Sequence, residues 1–238
     1  MPPPDVWRTH QSIQRIRELA TQLGELNERV VYIGGAIAPI LQEDPPFMSA
    51  RPTKDVDAIA ATSTYTRHAA VQTRLRKLGF REDRDGAHAQ RWLSPTGIRF
   101  DLVPAGKHLG ASGQEWDTYA VTSAITTDIG NDVSIRHANP PAFLALKLAA
   151  FRDRGAADPA LSHDLEDIVG LIASRPRIVD EVRAEKKSLR VYVARGMTAI
   201  VTHPDFEDLL AGNLTMAFDH VHAFAATRER MIGLSHAK

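Results

Sequence analysis

At 238 residues, 43% hydrophobic and 24% charged, the chain is long enough to bury a real core, as one large domain or two small ones, with the balance of a soluble globular protein. It contains no cysteine, which excludes disulfides, thiolate metal sites and a cysteine nucleophile, and favours a reducing, cytoplasmic location. Its 29 basic and 29 acidic residues cancel, so a nucleic-acid partner would have to meet a local patch.

Met1 to Arg8 lacks a basic flank followed by an apolar run, so no signal peptide is expected there. Ile13, Ile16, Ala20 and Leu23 recur at helical spacing and predict an amphipathic helix over roughly residues 9–27. Val30 to Ile33 reads as a short buried strand ended by Gly34-Gly35. Ala36 to Leu41 reads as the start of a helix stopped near Asp44-Pro45-Pro46. A loop through Arg51 to Lys54 leads to a strand over Val56 to Ala60, and Val71, Leu75 and Leu78 mark a helix ending at Gly79. Two short strands flank an Asp85-Gly86 turn, a hairpin signal. Ile98 to Val103 is a further strand, and Tyr119 to Arg136 reads as a second hairpin around Gly130-Asn131.

The pattern changes at Asn139-Pro140, an N-cap residue followed by a good first helical residue. One helix is expected over Pro140 to Arg154 and another from Asp158-Pro159 to about Ala173, with further helices to the C-terminus. Pro140 to Phe151 is the longest apolar stretch, but Lys147 interrupts it and it is too short to span a bilayer, so no membrane association is expected. The expected architecture is an α/β (α+β) unit over 1–138, with a mixed sheet flanked by helices, followed by a helical unit over 139–238.

The chemistry-bearing residues lie in an informative order. Side chains two apart on a strand share a face at roughly 6.5–7 Å between Cα atoms. Asp55 and Asp57 so placed could lean together on a divalent cation, and magnesium favours such a sparse oxygen shell. Gly34 and Gly35, without Cβ atoms, let phosphate approach the backbone, and a helix starting after them would add its positive end. Asp101, on an apolar strand, suggests a third ligand.

A hydrophobic residue and Gly-Gly (Ile33-Gly34-Gly35), then Asp55-Val56-Asp57 on a strand and Asp101 on a later one, resemble the polymerase-β nucleotidyltransferase superfamily. Residues 36–54 place nineteen positions between Gly35 and Asp55, somewhat more than that pattern usually has, with an insertion around Asp44 to Phe47. The resemblance implies a transfer of a nucleoside monophosphate from a nucleoside triphosphate to an acceptor hydroxyl, with Mg2+ or Mn2+ on Asp55, Asp57 and Asp101. Asp101 would help deprotonate or orient the acceptor, Gly34 and Gly35 would cradle phosphate, and Arg51 and Thr53 are candidate phosphate contacts.

In the helical half, Lys147 sits in an apolar stripe with Phe143, Leu144, Ala150 and Phe151, either snorkelling to solvent or aimed at a triphosphate. In the following helix, Leu161, Leu165, Ile168 and Ile172 define the buried stripe and place Asp164 at its edge, with Asp167 further round and free to be a surface charge. His163 needs no role beyond the helix surface. The lysine-bearing helix followed by Asp164-Leu165-Glu166-Asp167-Ile168 is similar to the AbiEii-like nucleotidyltransferases of abortive-infection and type IV toxin–antitoxin systems. That likeness implies a helical half that completes the active-site cleft, Lys147 on the nucleotide phosphates, and Asp164, or alternatively Asp167, as an extra acid. It also implies an RNA acceptor, such as the 3′ end of tRNA, and a cognate antitoxin. Two alternatives stay open: a small-molecule nucleotidyltransferase of the aminoglycoside-modifying kind, and a non-catalytic member that binds nucleotide or a partner. Arg175 to Arg190 holds six basic residues against three acids, either an RNA contact or a solvated helix face.

Overall fold

The computed structural model describes residues 6–43, 50–61, 65–83, 90–105, 115–215, 217 and 219–237. Those residues form two compact units, one of residues 6–40 and 52–139, the other of 41–51 and 140–238.

The first unit is built on a mixed seven-stranded sheet. Its strands are β1 (Val30–Ile33), β2 (Asp55–Ala60), β3 (Arg81–Glu82), β4 (Arg91–Leu93), β5 (Arg99–Pro104), β6 (Ile125–Asp128) and β7 (Ser134–His137), in the order β3-β4-β5-β2-β1-β7-β6. The pairs β2–β5 and β1–β7 are parallel, and the other pairs are antiparallel. Helices α1 (Gln11–Leu23), α2 (Ala38–Leu41), α3 (Tyr65–Lys77) and α4 (Glu115–Thr122) complete the unit. In α1 the buried positions Ile13, Ile16, Leu19, Ala20 and Leu23 form one apolar stripe. The His10 side chain accepts from the Ser12 amide at its start, and Gly24 ends it at φ 53°, so the helix is shorter than the expected 9–27.

Two expectations need correction here. Tyr119 to Thr122 belongs to α4 and not to a hairpin, which begins only at Ile125. Tyr, Val and Thr suit strands by propensity, but Trp116 and Ala120 are buried four residues apart and Trp116 packs edge-on against Tyr119, which is helical spacing. The helix expected after Gly35 is only a 3₁₀ turn (Gly35–Ile37) followed by the single turn α2, too short for a substantial dipole. The Asp85-Gly86 turn and the Asp44 to Phe47 insertion lie outside the described residues, although β3 and β4 pair as expected of a hairpin.

The second unit is helical: α5 (Pro140–Ala150), α6 (His163–Ser174), α7 (Ile178–Arg183), α8 (Lys187–Val201), α9 (Phe206–Asn213) and α10 (His220–Ser235). Phe143, Leu144 and Leu148 of α5, Leu165, Ile168 and Ile172 of α6, Val193 and Met197 of α8 and Met231 of α10 form its core. The helix expected to run to Arg154 changes at Ala150 into a π-helical turn over Phe151–Gly155. Gly155 permits the close approach of that turn to the start of α6: a Cβ there would lie 2.7 Å from Phe151 Cδ2 and closer still to Ser162 Oγ. Asp158-Pro159 opens a 3₁₀ turn and not α6, whose N-cap is Ser162, with its hydroxyl accepting from the Leu165 amide at 3.3 Å. Residues 41–43 are fastened to this unit by the Glu43 amide on Ser174 O (2.8 Å), Arg175 on Leu41 O (2.8 Å) and Arg177 Nε on Glu43 (2.6 Å). Arg175 also forks onto Glu181. Arg183 also reaches Asp180 at 3.4 Å, so three of the basic residues between 175 and 190 are held by carboxylates. Among the described residues no helix is long and apolar enough to cross a membrane.

Candidate functional site

Strand register gathers the acidic residues of the first unit. The parallel pairing of β2 with β5 sets Asp55 beside Arg99 and Asp57 beside Asp101. Residues paired in register point to the same side of a sheet, as do residues two apart on one strand, so Asp55, Asp57 and Asp101 share one face. The alternate residues Val56, Phe100 and Leu102 are buried on the other face. That alternation, apolar one way and acidic the other, holds the carboxylates out of the core.

The antiparallel pairing of β1 with β2 brings in the glycine step, because Ile33 lies opposite Asp57. Gly34 follows at φ 71° and ψ −175°, a conformation open to glycine and closed to residues with a Cβ. A Cβ on Gly34 would lie 3.0 Å from Asp57 Cγ and closer still to Oδ2. The Asp57 carboxylate thus lies directly over the bare Gly34 backbone. Gly35 is buried in the 3₁₀ turn that follows. Thr53 turns its hydroxyl onto the Asp55 carbonyl (3.1 Å), its amide donates to Ser12 Oγ (3.2 Å), and Arg15 bonds its carbonyl, so it shapes the entry to β2.

Sequence reasoning missed Arg91. In the antiparallel β4–β5 pair it lies opposite Asp101. Its guanidinium forks onto Asp101, with Nε to Oδ1 and Nη2 to Oδ2 both at 2.8 Å, and Nη2 also reaches Asp55 Oδ2 at 3.1 Å. The Asp101 hydrogen bonds, and then the nearby carboxylate charges, raise the Arg91 pKa although burial opposes them, so it is a permanent cation. Asp55 Oδ1 has no hydrogen bond, and Arg99 Nη1 stands 3.8 Å from it. A signal was present in the sequence: a basic residue on a hairpin strand next to the strand of Asp101.

Three carboxylates on one sheet face are hard oxygen donors of the kind magnesium or manganese takes, so this donor set fits such an ion. Among the described residues no three His, Asp or Glu side chains are drawn together around a common point, and Arg91 stands among the acids.

The second unit holds an ionic cluster of its own. Lys147 Nζ lies 3.1 Å from Asp164 Oδ1 and 2.5 Å from Asp167 Oδ2. Lys147, Asp164 and Asp167 are 9%, 3% and 6% exposed, so the lysine does not snorkel and Asp167 is not a surface charge. Arg154 Nε and Nη2 fork onto Asp164 at 2.7 and 3.1 Å, and Arg51 meets Glu166 at 3.1 Å and Asp167 at 4.0 Å. Burial pulls the Lys147 pKa down, but the charges of Asp167 and Asp164 outweigh it and the net shift is upward. Burial pushes Asp164 up, while Arg154 and Lys147 more than offset that and hold it below its ordinary value. Arg154, seven residues after Lys147, closes the Leu-x-Leu-Lys-Leu-x-Ala-x-x-x-Arg pattern of that helix, but the sequence assigned it no role. His163 is exposed and contacts only Glu166 among the partners seen, at 3.2 Å.

No family profile and no curated protein matches the chain. Among solved structures it is similar to an antigenic nucleotidyltransferase-like protein from Paracoccidioides brasiliensis. The TM-score is 0.49 and the identity 19%, over 84% of this chain and 91% of that one.

Proposed function

We propose that the chain is a metal-dependent nucleotidyltransferase that moves a nucleoside monophosphate from a nucleoside triphosphate to an acceptor hydroxyl with release of pyrophosphate. The observation that carries the reading is the double register at Asp57: opposite Ile33 at the glycine step on one side, beside Asp101 on the other. One sheet face then combines a glycine step, with the Asp57 carboxylate packed over Gly34, and three acids. Phosphoryl transfer needs little else from a protein, because its barrier is mostly charge and positioning.

In this reading Asp55, Asp57 and Asp101 hold magnesium or manganese. When bound, the ion supplies charge neutralisation for the phosphates and the leaving pyrophosphate. Asp101, level with Asp57 across the β2–β5 pair, accepts or orients the proton of the acceptor hydroxyl. Gly34 leaves room for the Asp57 carboxylate, and the phosphate contact proposed for the glycine step is with the Gly34-Gly35 backbone. Thr53 acts indirectly, through the Asp55 backbone it bonds. The phosphate-binding role that the AbiEii resemblance implies for Lys147 would require its ammonium to leave two buried carboxylates, and Arg51 would have to leave Glu166. The geometry favours a structural role for the Lys147 cluster, as a clamp between α5 and α6. The acceptor proposed is RNA, with the 3′ end of tRNA first, and an antitoxin partner follows from the same resemblance, while the proposed cytoplasmic location rests on the cysteine-free composition.

A second reading, a nucleotide-binding member without turnover, has one observation in its favour: Arg91 already satisfies Asp101 and one oxygen of Asp55. The test is incubation of the purified protein with each α-labelled nucleoside triphosphate, magnesium and total cellular RNA, beside Asp57→Asn. Label entering a discrete RNA band only with the unsubstituted protein supports the transferase and its RNA acceptor. Pyrophosphate release with small hydroxyl acceptors alone moves the acceptor to a small molecule. Tight nucleotide binding with no transfer to any acceptor selects the second reading.

A further inference from the structure

We propose that Arg91 is the built-in competitor for the divalent cation: its guanidinium occupies the carboxylates until a cation displaces it, and so sets the affinity of the site for metal. This rests on the metal-dependent reading above. Three of the four carboxylate oxygens of Asp55 and Asp101 accept from Arg91, at 2.8, 2.8 and 3.1 Å, and only Asp55 Oδ1 is left without a hydrogen bond. Each of those oxygens gives one of its two lone-pair sites to an Arg91 N–H, which holds the carboxylates toward the guanidinium and weakens their donation to a metal ion. Two cations packed within a few ångströms also repel strongly in a partly buried site.

The placement is a property of the fold. Arg91 is the cross-strand partner of Asp101 in the β4–β5 pair, so its side chain leaves the sheet on the same face as the acids. Arg99, also on that face, comes no nearer to Asp55 Oδ1 than 3.8 Å and takes none of its oxygens. The planar fork of Arg91 matches a carboxylate in a way a lysine would not. Three adjacent acids without a counter-charge would repel one another and destabilise the strand pairing, so a resident guanidinium keeps the face intact without metal. Its cost is weaker metal binding in the absence of nucleotide. A triphosphate would offer the displaced guanidinium a new anionic partner and thereby make cation and nucleotide binding mutually favourable.

The test is Mn2+ binding by the full chain without nucleotide, by calorimetric titration and by loss of the free-ion paramagnetic resonance signal. The proteins compared are the unsubstituted one, Arg91→Ala, Arg91→Lys and Arg99→Ala. Arg91→Ala is expected to tighten Mn2+ binding about 10- to 100-fold, the equivalent of freeing charge-assisted hydrogen bonds. Arg91→Lys should fall between, because it keeps the charge and loses the fork. Arg99→Ala, which removes a charge without releasing an oxygen, should change binding by less than about threefold. Should Arg91→Ala fail to fold, as judged by circular dichroism, Arg91→Gln carries the same expectation. Equal Mn2+ affinity with and without Arg91 overturns the inference and leaves the transferase reading standing. Equal tightening by Arg91→Ala and Arg99→Ala also overturns it, since bulk charge would then explain the effect. No Mn2+ binding by any of the proteins removes the metal-dependent reading and the inference together.

Discussion

Gly34→Ala isolates the close approach on which the proposed site depends. At φ 71° and ψ −175° an alanine is strained, at a cost of about 1–3 kcal/mol for a sparsely populated backbone region. Its methyl would also lie 3.0 Å from Asp57 Cγ and closer to Oδ2, so the carboxylate must rotate away, at about 0.5–1.5 kcal/mol off its rotamer. Together these predict a loss of about 1.5–4.5 kcal/mol in unfolding free energy. The two parts separate in a double-mutant cycle measured by urea unfolding. In an Asp57→Ala background the backbone strain stays and most of the steric conflict disappears, so Gly34→Ala should cost about 0.5–1.5 kcal/mol less there. A Gly34→Ala protein within about 0.5 kcal/mol of the unsubstituted one would refute the reasoning, because neither the strain nor the contact could then exist. Equal costs in the two backgrounds would retain the strain and reject the contact with Asp57.

The Lys147 cluster gives two further expectations. Lys147→Met leaves Asp164 and Asp167 buried with one cation fewer and should cost about 3–5 kcal/mol by urea unfolding. A loss below about 1 kcal/mol would mean that Arg154 and Arg51 suffice. The depressed pKa of Asp164 sets a pH dependence with a definite sign: its contribution is present above the ordinary aspartate value and is lost as pH falls below about 4 and through the folded value. Lys147, shifted upward, contributes below the ordinary lysine value and loses its contribution only as pH rises through its folded value. Unfolding midpoints of Asp164→Asn should therefore fall less steeply in acid than those of the unsubstituted protein, and parallel curves would count against the Asp164 assignment.

Much of the fold was legible because it is written in local periodicity. The alternation in Asp55 to Ala60 and Arg99 to Pro104 marks strands whose acids face one way, and Ile13, Ile16, Ala20 and Leu23 mark a helix, since backbone stereochemistry alone sets periods of 2 and 3.6. Where local signals competed, packing decided. Tyr119 to Thr122 has strand propensity but folds as helix because Trp116 and Ala120 bury one helical face. Asp158-Pro159 looks like a helix start, yet α6 opens at Ser162, where the side chain satisfies the Leu165 amide.

From the sequence alone came the two elements of the candidate site that depend only on neighbours along the chain: Asp55 and Asp57 on one strand face, and a glycine step free to take a positive φ. Tertiary structure decided which strand lies beside β2, that Asp101 falls level with Asp57, that Arg91 takes the Asp101 carboxylate, and that Asp164 and Asp167 both claim Lys147. Sheet register and ion pairing bring together residues tens of positions apart. Their choice depends on how whole strands and helices bury their apolar faces, and no local spacing carries that information.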